Sequence, residues 1–494
     1  MFPRRSGTVS LVVSIMISNA WGQGLNNLWL GGFESYLAPP PFGGSNIDFS
    51  SGVPDIYYQY RDIDIRITTA NISNTSGDLL FFTNGVVVGT QGGDTMLNGT
   101  GLNPSTYTDW YPGGLFLYQA NMIIPDPGSA NRHYLFHNTI DVMPDFVPHY
   151  LYLSVVDMSL DGGNGEVISK NQVIFTGDVQ PGHLTAVRHG NGRDWWVYAH
   201  EFYNNIFLRW LVTPQGISGP FSQPIGTYRS PDPGQVVFSQ DGQRFAYFAG
   251  ETGLDLFEVD RCDGTFIYNG FVFVDSATFG IGASFSPNGR FVYLSAQNYL
   301  YQVDGDAPDL QASLQLIATW DSTYSPSPPF ATKFGASKLA PDGKIYISTI
   351  NGTDKLHVIN HPDSLGLACD IVQHGITLPT YWSNSLPNHP NYHLGALDGS
   401  VCDSLGLGVV EQKPNLNLEL FPNPNAGAFT LSFAPQPQAG LLEVHDVNGR
   451  LVYKEPVAPW SQLKRVQLSD LNVGVYQCRL RFGSTTAVRR FVVE

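Results

Sequence analysis

The sequence predicts an all-β protein: a six- or seven-bladed β-propeller followed by a small C-terminal β-sandwich. Three observations lead there. Glycine and proline are abundant, at 52 and 34 residues, aromatics reach 13% and charged residues only 14%, which is the balance of short strands and turns rather than of long amphipathic helices. A strand, turn, strand phrase returns at near-constant spacing through the middle of the chain. The last part then changes phrase and composition, and 494 residues exceed what one hydrophobic core usually serves, so two folded units are expected.

The chain opens with the three parts of a secretory signal peptide, expected over residues 1–22. Arg4 and Arg5 precede an apolar run from Val9 to Ile17, and the small residues Ala20 and Gly22 place the cut between Gly22 and Gln23. That run is too short to cross a hydrocarbon core of roughly 30 Å, so no transmembrane segment is expected. No cysteine follows it to carry a lipid. The net charge of −16 repels polyphosphates and anionic headgroups, which argues against nucleic acid or a membrane surface as a partner.

The propeller with its closing segment is expected over 23–408. Its repeat is plainest in Val236–Tyr247, Ala283–Tyr293 and Ser337–Tyr346, with a weaker copy at Asn191–Tyr198. The turn residues Asn191, Asp241, Asn288 and Asp342 stand 50, 47 and 54 residues apart, close to one four-stranded blade per repeat. Asp-Gly and Asn-Gly suggest two-residue hairpins. Third strands follow at Leu254–Asp260, Tyr299–Asp304 and Lys355–Asn360. Such a blade cannot bury both faces alone, and radial stacking lets neighbours cover them. Upstream, Gly77–Thr83 and Arg132–His137 read as inner strands of two degenerate blades with longer insertions. The phrases Phe285–Arg290 and Leu339–Lys344 resemble those of lactonase-type and WD-repeat-type propellers of exported bacterial proteins. That resemblance is to a superfold and brings no reaction with it.

The passage from Cys369 through Ser385–Tyr392 to Cys402 has no clear period and reads as a closing segment wrapped on the propeller. Cys369 and Cys402 are the nearest pair for a disulfide, with Cys262 an equally legal partner by sequence. A linker at 409–415 then leads to a compact β unit at 416–494.

Three phrases of that unit, in this order at the C-terminus, resemble the type A sorting domain that directs cargo through the type IX secretion system of Gram-negative bacteria. They are Leu418–Pro424, Val444–Tyr453 and Leu468–Tyr476. The residues that carry the likeness are Pro422, Asn423, Pro424, Asn448, Gly449, Arg450, Gly474 and Tyr476. The prolines suit an extended opening strand, Asn448-Gly449 a hairpin, and Gly474 a close approach before Tyr476 turns inward. The resemblance implies the type IX machinery as a partner and a destination in the medium or on the cell surface, outside the outer membrane. The last strand carries Arg489-Arg490 where such domains often have lysine. Cys478 suits a small buried apolar position better than a reactive thiol.

The chain holds no His-Glu-x-x-His, Gly-x-Ser-x-Gly, phosphate-loop or dinucleotide motif, so no catalytic residue, metal ligand or cofactor is assigned. Asp157–Glu166 has oxygen ligands and glycines without the order of a Ca²⁺ loop, and reads as a turn. His133 and His137 share one strand face and read as packing histidines. The leading functional expectation is a secreted or surface-attached binding module for a glycan or protein ligand, with Tyr107–Tyr111 and Pro379–Trp382 as aromatic loops suited to stacking. Two alternatives stay open: an exported hydrolase or lyase acting on an extracellular polymer, and a structural surface component.

Overall fold

The computed structural model describes residues 24–403, 416 and 418–494, apart from 38–39, 232, 276–280, 326–328, 385, 434–435, 437, 460, 462, 469–470 and 484. The expected signal peptide, its cut at Gly22 and Gln23, and the 409–415 linker lie outside the described residues. Two compact units separate at 403/404.

The first unit carries seven antiparallel meanders among its described residues. Blade 1 has three strands, Leu28–Phe33, Gly43–Asp48 and Asp55–Gln59. Blade 2 spans Ala70–Ser73, Leu79–Thr83, Val87–Thr90 and Thr95–Thr100. Blade 3 spans Asn121–Pro125, Arg132–His137, Tyr150–Asp157 and Glu166–Thr176. Blades 4 to 7 run from Thr185 to Arg229, Gly234 to Val272, Gly282 to Thr319 and Phe334 to Trp382. The outermost strands of blades 2 and 3 touch in a single parallel bridge, Leu97 to Glu166.

Each neighbouring pair of blades buries a shared apolar layer, and the layers close into a ring. Leu30 and Ile65 meet Phe82 between blades 1 and 2, and one large cluster fuses blades 2, 3 and 4. Trp196 and Tyr198 meet Phe245 and Tyr247 between blades 4 and 5. Blades 5 and 6 share Phe248 and Leu294, and blades 6 and 7 share Tyr293 and Ile347. The ring is completed by Trp29, Ile47 and Phe49 of blade 1 against Tyr346, Leu356 and Trp382 of blade 7. Gly31 lies flat beneath the Trp382 indole, where any Cβ would overlap the ring. The sequence left six or seven blades open; the seventh is the three-stranded sheet at 28–59, upstream of the clear repeat. Leu79–Thr83 and Arg132–His137 prove to be second strands, the inner ones being Ala70–Ser73 and Asn121–Pro125.

The recurrent turns are longer than two-residue hairpins, for a reason visible in their side chains. In blade 5 the Asp241 carboxylate accepts from the Ser239 hydroxyl at 2.6 Å and the Gln243 amide at 3.0 Å, while Ser239 and Arg244 close the loop. Blade 6 repeats this with Asn288, Ser286 and Arg290, and blade 4 with Asn191 and Arg193. The side chain thus replaces a backbone partner, and only the following glycine takes positive φ, as Gly242 does at 69°.

Blade 1 differs in direction. Its first strand starts beside the turn of blade 2, with Leu25 and Leu28 carbonyls accepting from Ser73 and Asn71. It ends where Ser35 meets Asp64, ahead of the inner strand of blade 2. It therefore ascends where the other first strands descend. The closing segment supplies the missing descent. From Ser383, whose amide donates to Gly32, the chain enters the axis at the upper face, where inner strands begin, and leaves at the lower face, where the first turns lie. It threads the ring rather than wrapping it.

Below the ring, Ala396 bridges Asn191 and Cys402 forms a disulfide with Cys262, with Cα atoms 5.6 Å apart. The expected Cys369–Cys402 bond is corrected: Cys369 is free and buried in the layer between blades 6 and 7, while the threaded segment emerges beside blades 4 and 5. Gly190 packs against the Cys402 sulfur with no room for a Cβ.

Two thiols, Cys369 and Cys478, should react in denaturant without reductant, and two more after reduction. Cys402→Ser should lower unfolding stability by about 2–4 kcal/mol, the usual effect of opening a long disulfide loop, as read from urea midpoints.

Candidate functional site

Inner strands bond to a neighbour on one side only, so their other edge presents backbone groups to the axis. Three side-chain amides take up much of that demand. Gln119 accepts from the Val236 amide at 2.8 Å and donates to its carbonyl at 2.9 Å. Gln235 accepts from the amides of Ala283 and Ser337 and donates to the Ser337 carbonyl at 2.7 Å. Asn388, on the threaded segment, donates to the carbonyls of Asn121 and Leu184, both at 2.9 Å. Further down, the Tyr392 hydroxyl donates to Ile123 and Asn391 to Gln240. One strip of chain therefore bonds to blades 3, 4 and 5, and through the Asn388 amide to Thr69 ahead of blade 2. Between it and the inner strands of blades 4 to 7 remains a cavity of about 100 Å³.

The upper face is built up over blades 1 to 3, because the long connections at 60–69, 101–120 and 138–149 lie there, with the described residues 34–37 and 40–42. Ser105 caps a short helix, Thr106–Trp110, by accepting from the Thr108 amide at 3.1 Å. This turns Tyr107 into the core and Trp110 outward, where it is 57% exposed. Tyr111 packs at 4.8 Å from both Tyr107 and Phe116. The Arg66 guanidinium lies between the rings of Phe116 and Phe33, 5.3 and 5.8 Å from their centroids. Buried Asp64 fixes it at 2.7 Å while also accepting from the Ser35 amide. The result is an aromatic wall with a held cation. Of the two expected stacking loops, only the first contributes: Tyr381 and Trp382 are buried in the seam between blades 1 and 7.

The second unit packs a three-stranded sheet, Glu419–Phe421, Ala428–Ser432 and Leu463–Gln467, with a four-stranded one made by Leu451–Val457, Gly440–His445, Gly474–Phe482 and Thr485–Val493. Phe429, Leu442, Leu480 and Phe491 share its core. Pro422 and Pro424 follow the opening strand rather than extend it, since pairing ends at Phe421. Asn423 between them accepts from the Val492 amide at 2.8 Å, and Asn425 bridges Val493. The proline phrase thus clips the unit's start to its last strand. Asn448 and Gly449 form a turn around Asp446, which accepts from the amides of Asn448 and Arg450, each at 3.0 Å. Gly474 makes only ordinary contacts, so the close approach expected there is absent. Tyr476 stacks on Phe491 at 5.7 Å and donates to the Asn472 carbonyl. Cys478 is fully buried.

Asp157–Glu166 forms a turn connecting two strands of blade 3. His137 is fully buried between Asn103 at 2.7 Å and Ser154 at 2.9 Å, and His133 meets the Phe81 ring edge-on. Among the described residues no group of three or more His, Cys, Asp and Glu is placed to hold a metal ion, and no helix is long and apolar enough to cross a membrane.

Residues 419–494 match the family of secretion-system C-terminal sorting domains, and that tail marks the chain for export by the type IX system. No curated protein matches the chain. Among solved structures, the periplasmic gluconolactonase of Pseudomonas aeruginosa is 15% identical, with 73% of this chain and 98% of that one covered and a TM-score of 0.45. The β-propeller domain of Swd1 from Myceliophteria thermophila is 10% identical over 62% of this chain and 87% of that one, with a TM-score of 0.38. PorZ of Porphyromonas gingivalis, a surface component of the type IX secretion system, is 10% identical over 91% and 73%, with a TM-score of 0.31. These likenesses are too distant to bear on chemistry; the propeller rests on the sheet order itself.

Burial holds several histidines neutral. The side chains of His133 and His183 are pushed down to about 4, and those of His137, His200 and His357 to about 3. An unfolded chain takes up these protons below pH ~6.5 while the folded one does not, so stability is full above that pH and falls as pH drops toward 4. Urea midpoints should decline across that window, and His137→Gln should remove up to one proton from the slope.

Proposed function

We propose that this chain is exported by a type IX system to the surface or surroundings of a Gram-negative cell and acts there as a glycan-binding propeller. The observation that carries this reading is the aromatic wall on the upper face of blades 1 to 3. Trp110 is exposed, and next to it in the chain Tyr111 packs on Phe116, which shares Arg66 with Phe33, all three rings half-buried. Arg66, held by buried Asp64, places a fixed cation within the same surface. A sugar ring has the same two aspects, an apolar face of C–H groups and a rim of hydroxyls, and large aromatic side chains meet it at low entropic cost.

The alternative of a hydrolase or lyase acting on a polymer needs convergent carboxylates or histidines at the channel mouth, and the lining of the axial cavity contains no Asp or Glu and a single histidine, the buried His389. The threaded segment also occupies the place where a channel-mouth site would open.

On a glycan array, the exported form should bind a subset of polysaccharides, and Trp110→Ala should weaken that binding by about tenfold, or ~1.4 kcal/mol, without moving the melting transition. Unaltered binding by this variant would remove the wall from consideration.

A chain ending at Asp403 should keep the melting transition of the first unit, since the second is a separate compact unit, yet remain in the periplasm. Fractionation of expressing cells reads the outcome: secretion of the shortened chain would deny the second unit its sorting role.

A further inference from the structure

The axial cavity has an electrostatic character opposite to that of the protein as a whole. In a chain of net charge −16, the one charged side chain lining it is Lys338, on the inner strand of blade 7. Its ammonium donates to the His389 carbonyl at 3.0 Å, and no carboxylate pairs with it in any ion pair of the described residues. An ammonium has three donors, so two remain for other partners.

The lower end of the axis is cationic as well. Arg188 donates to the carbonyls of Gly192, Arg193 and Tyr392 at 3.2–3.3 Å. Arg261, almost fully buried, donates to those of Arg188, Asp241, His189 and Gly395. Both bind backbone oxygens, which spread their charge without cancelling it. Two acids stand nearby: Asp194, held by Arg193 at 2.7 Å, and Asp241, whose carboxylate accepts from Ser239 and Gln243 and whose charge acts on Arg261. Low-dielectric walls focus such a field along the axis.

The chemistry of the lining narrows what could answer it. Among the other polar side chains of the lining, Gln235, Ser239, Gln240, Ser284 and Asn391 are neutral, and most of them are engaged with protein partners, while Val237 and Phe285 are apolar. Exposed Gln240 marks the way out to solvent at the lower face. His389 cannot serve as a second cation, because it is buried and its Nε2 hydrogen-bonds with Asn71 Oδ1 at 3.1 Å, and burial beside Lys338 holds it well below its usual range. The site therefore carries one positive charge. A volume of about 100 Å³ is less than the 150 Å³ or so that admits benzene, which limits an occupant to a few heavy atoms.

We propose that the axial cavity is a binding site for a small monocarboxylate of two or three carbons, its carboxylate paired with Lys338 and its short apolar tail against Val237 and Phe285. This site is separate from the glycan wall, and the two can fail independently. Burial pushes the Lys338 amine down to about 8, and the anion requires the protonated form. Binding is thus strong below that pH and is lost above it.

The test uses the complete exported protein with lysine labelled with ¹³C at Cε. Acetate is the probe, acetamide its neutral counterpart, and sodium chloride the control at equal ionic strength. One lysine signal, identified by its disappearance in Lys338→Met, should shift saturably with acetate and not with acetamide or chloride. Raising the pH from 7 to 9.5 should weaken acetate binding more than tenfold. Should Lys338→Met fail to fold, the acetate, acetamide and chloride titrations and the pH series on the unaltered protein decide alone. No saturable shift, an equal response to chloride or acetamide, or affinity unchanged between pH 7 and 9.5 would overturn the proposal.

Discussion

Inner strands arranged around an axis leave an unpaired edge along the centre, and the rest of this propeller is shaped by how that edge is satisfied. Water could do it, as in an open channel. Here much of the demand falls to Gln119, Gln235 and Asn388, whose amides match the alternating N–H and C=O groups of a strand edge. Each carries a donor and an acceptor on separate atoms of one plane, whereas a hydroxyl has both on a single atom and a carboxylate only accepts. An axis satisfied in this way is rigid and narrow, and that is why the open aromatic surface of the molecule lies at its rim.

The same solution closes the ring. Blade 1 lacks a descending first strand, and the segment beyond Trp382 takes that course, so the first and last parts of the unit are locked by contacts far apart in sequence. Ser45 and Thr380 meet through their hydroxyls, Trp382 lies on Gly31, and His393 reaches Asn26 at 2.8 Å. The disulfide between Cys262 and Cys402 then fixes the lower end of the strip. None of these contacts belongs to the blade repeat.

How far the sequence disclosed this follows from the range of the interactions involved. Blades 4 to 7 were legible because their turns are local: Ser239, Asp241 and Gly242 need only one another. The sorting unit was legible because its phrases recur as words, although the reason for Asn423, a bond to Val492, is not local and was not. Blade 1 escaped notice because its strands Leu28–Phe33 and Gly43–Asp48 are rich in glycine and lack the turn phrase. The axial residues left no periodic signal, since Lys338 sits inside a repeat like any surface lysine and Asn388 within a passage read as irregular. The disulfide depended on where that passage emerges, which spacing along the chain does not encode. The Tyr381-Trp382 pair was read as a surface loop for the same cause: its burial is decided by blade 1, some 350 residues earlier in the chain.

The threaded segment also has a consequence for the order of events in synthesis. Its residues 383–403 are the last of the first unit to be made, and they are the ones that complete blade 1 and fill the axis. A chain made from its N-terminus onward cannot lock the ring until those final residues are available. Contacts of such long sequence separation form late and slowly. The ring is therefore locked by the part of the first unit that is synthesised last, and its full resistance to unfolding depends on that part.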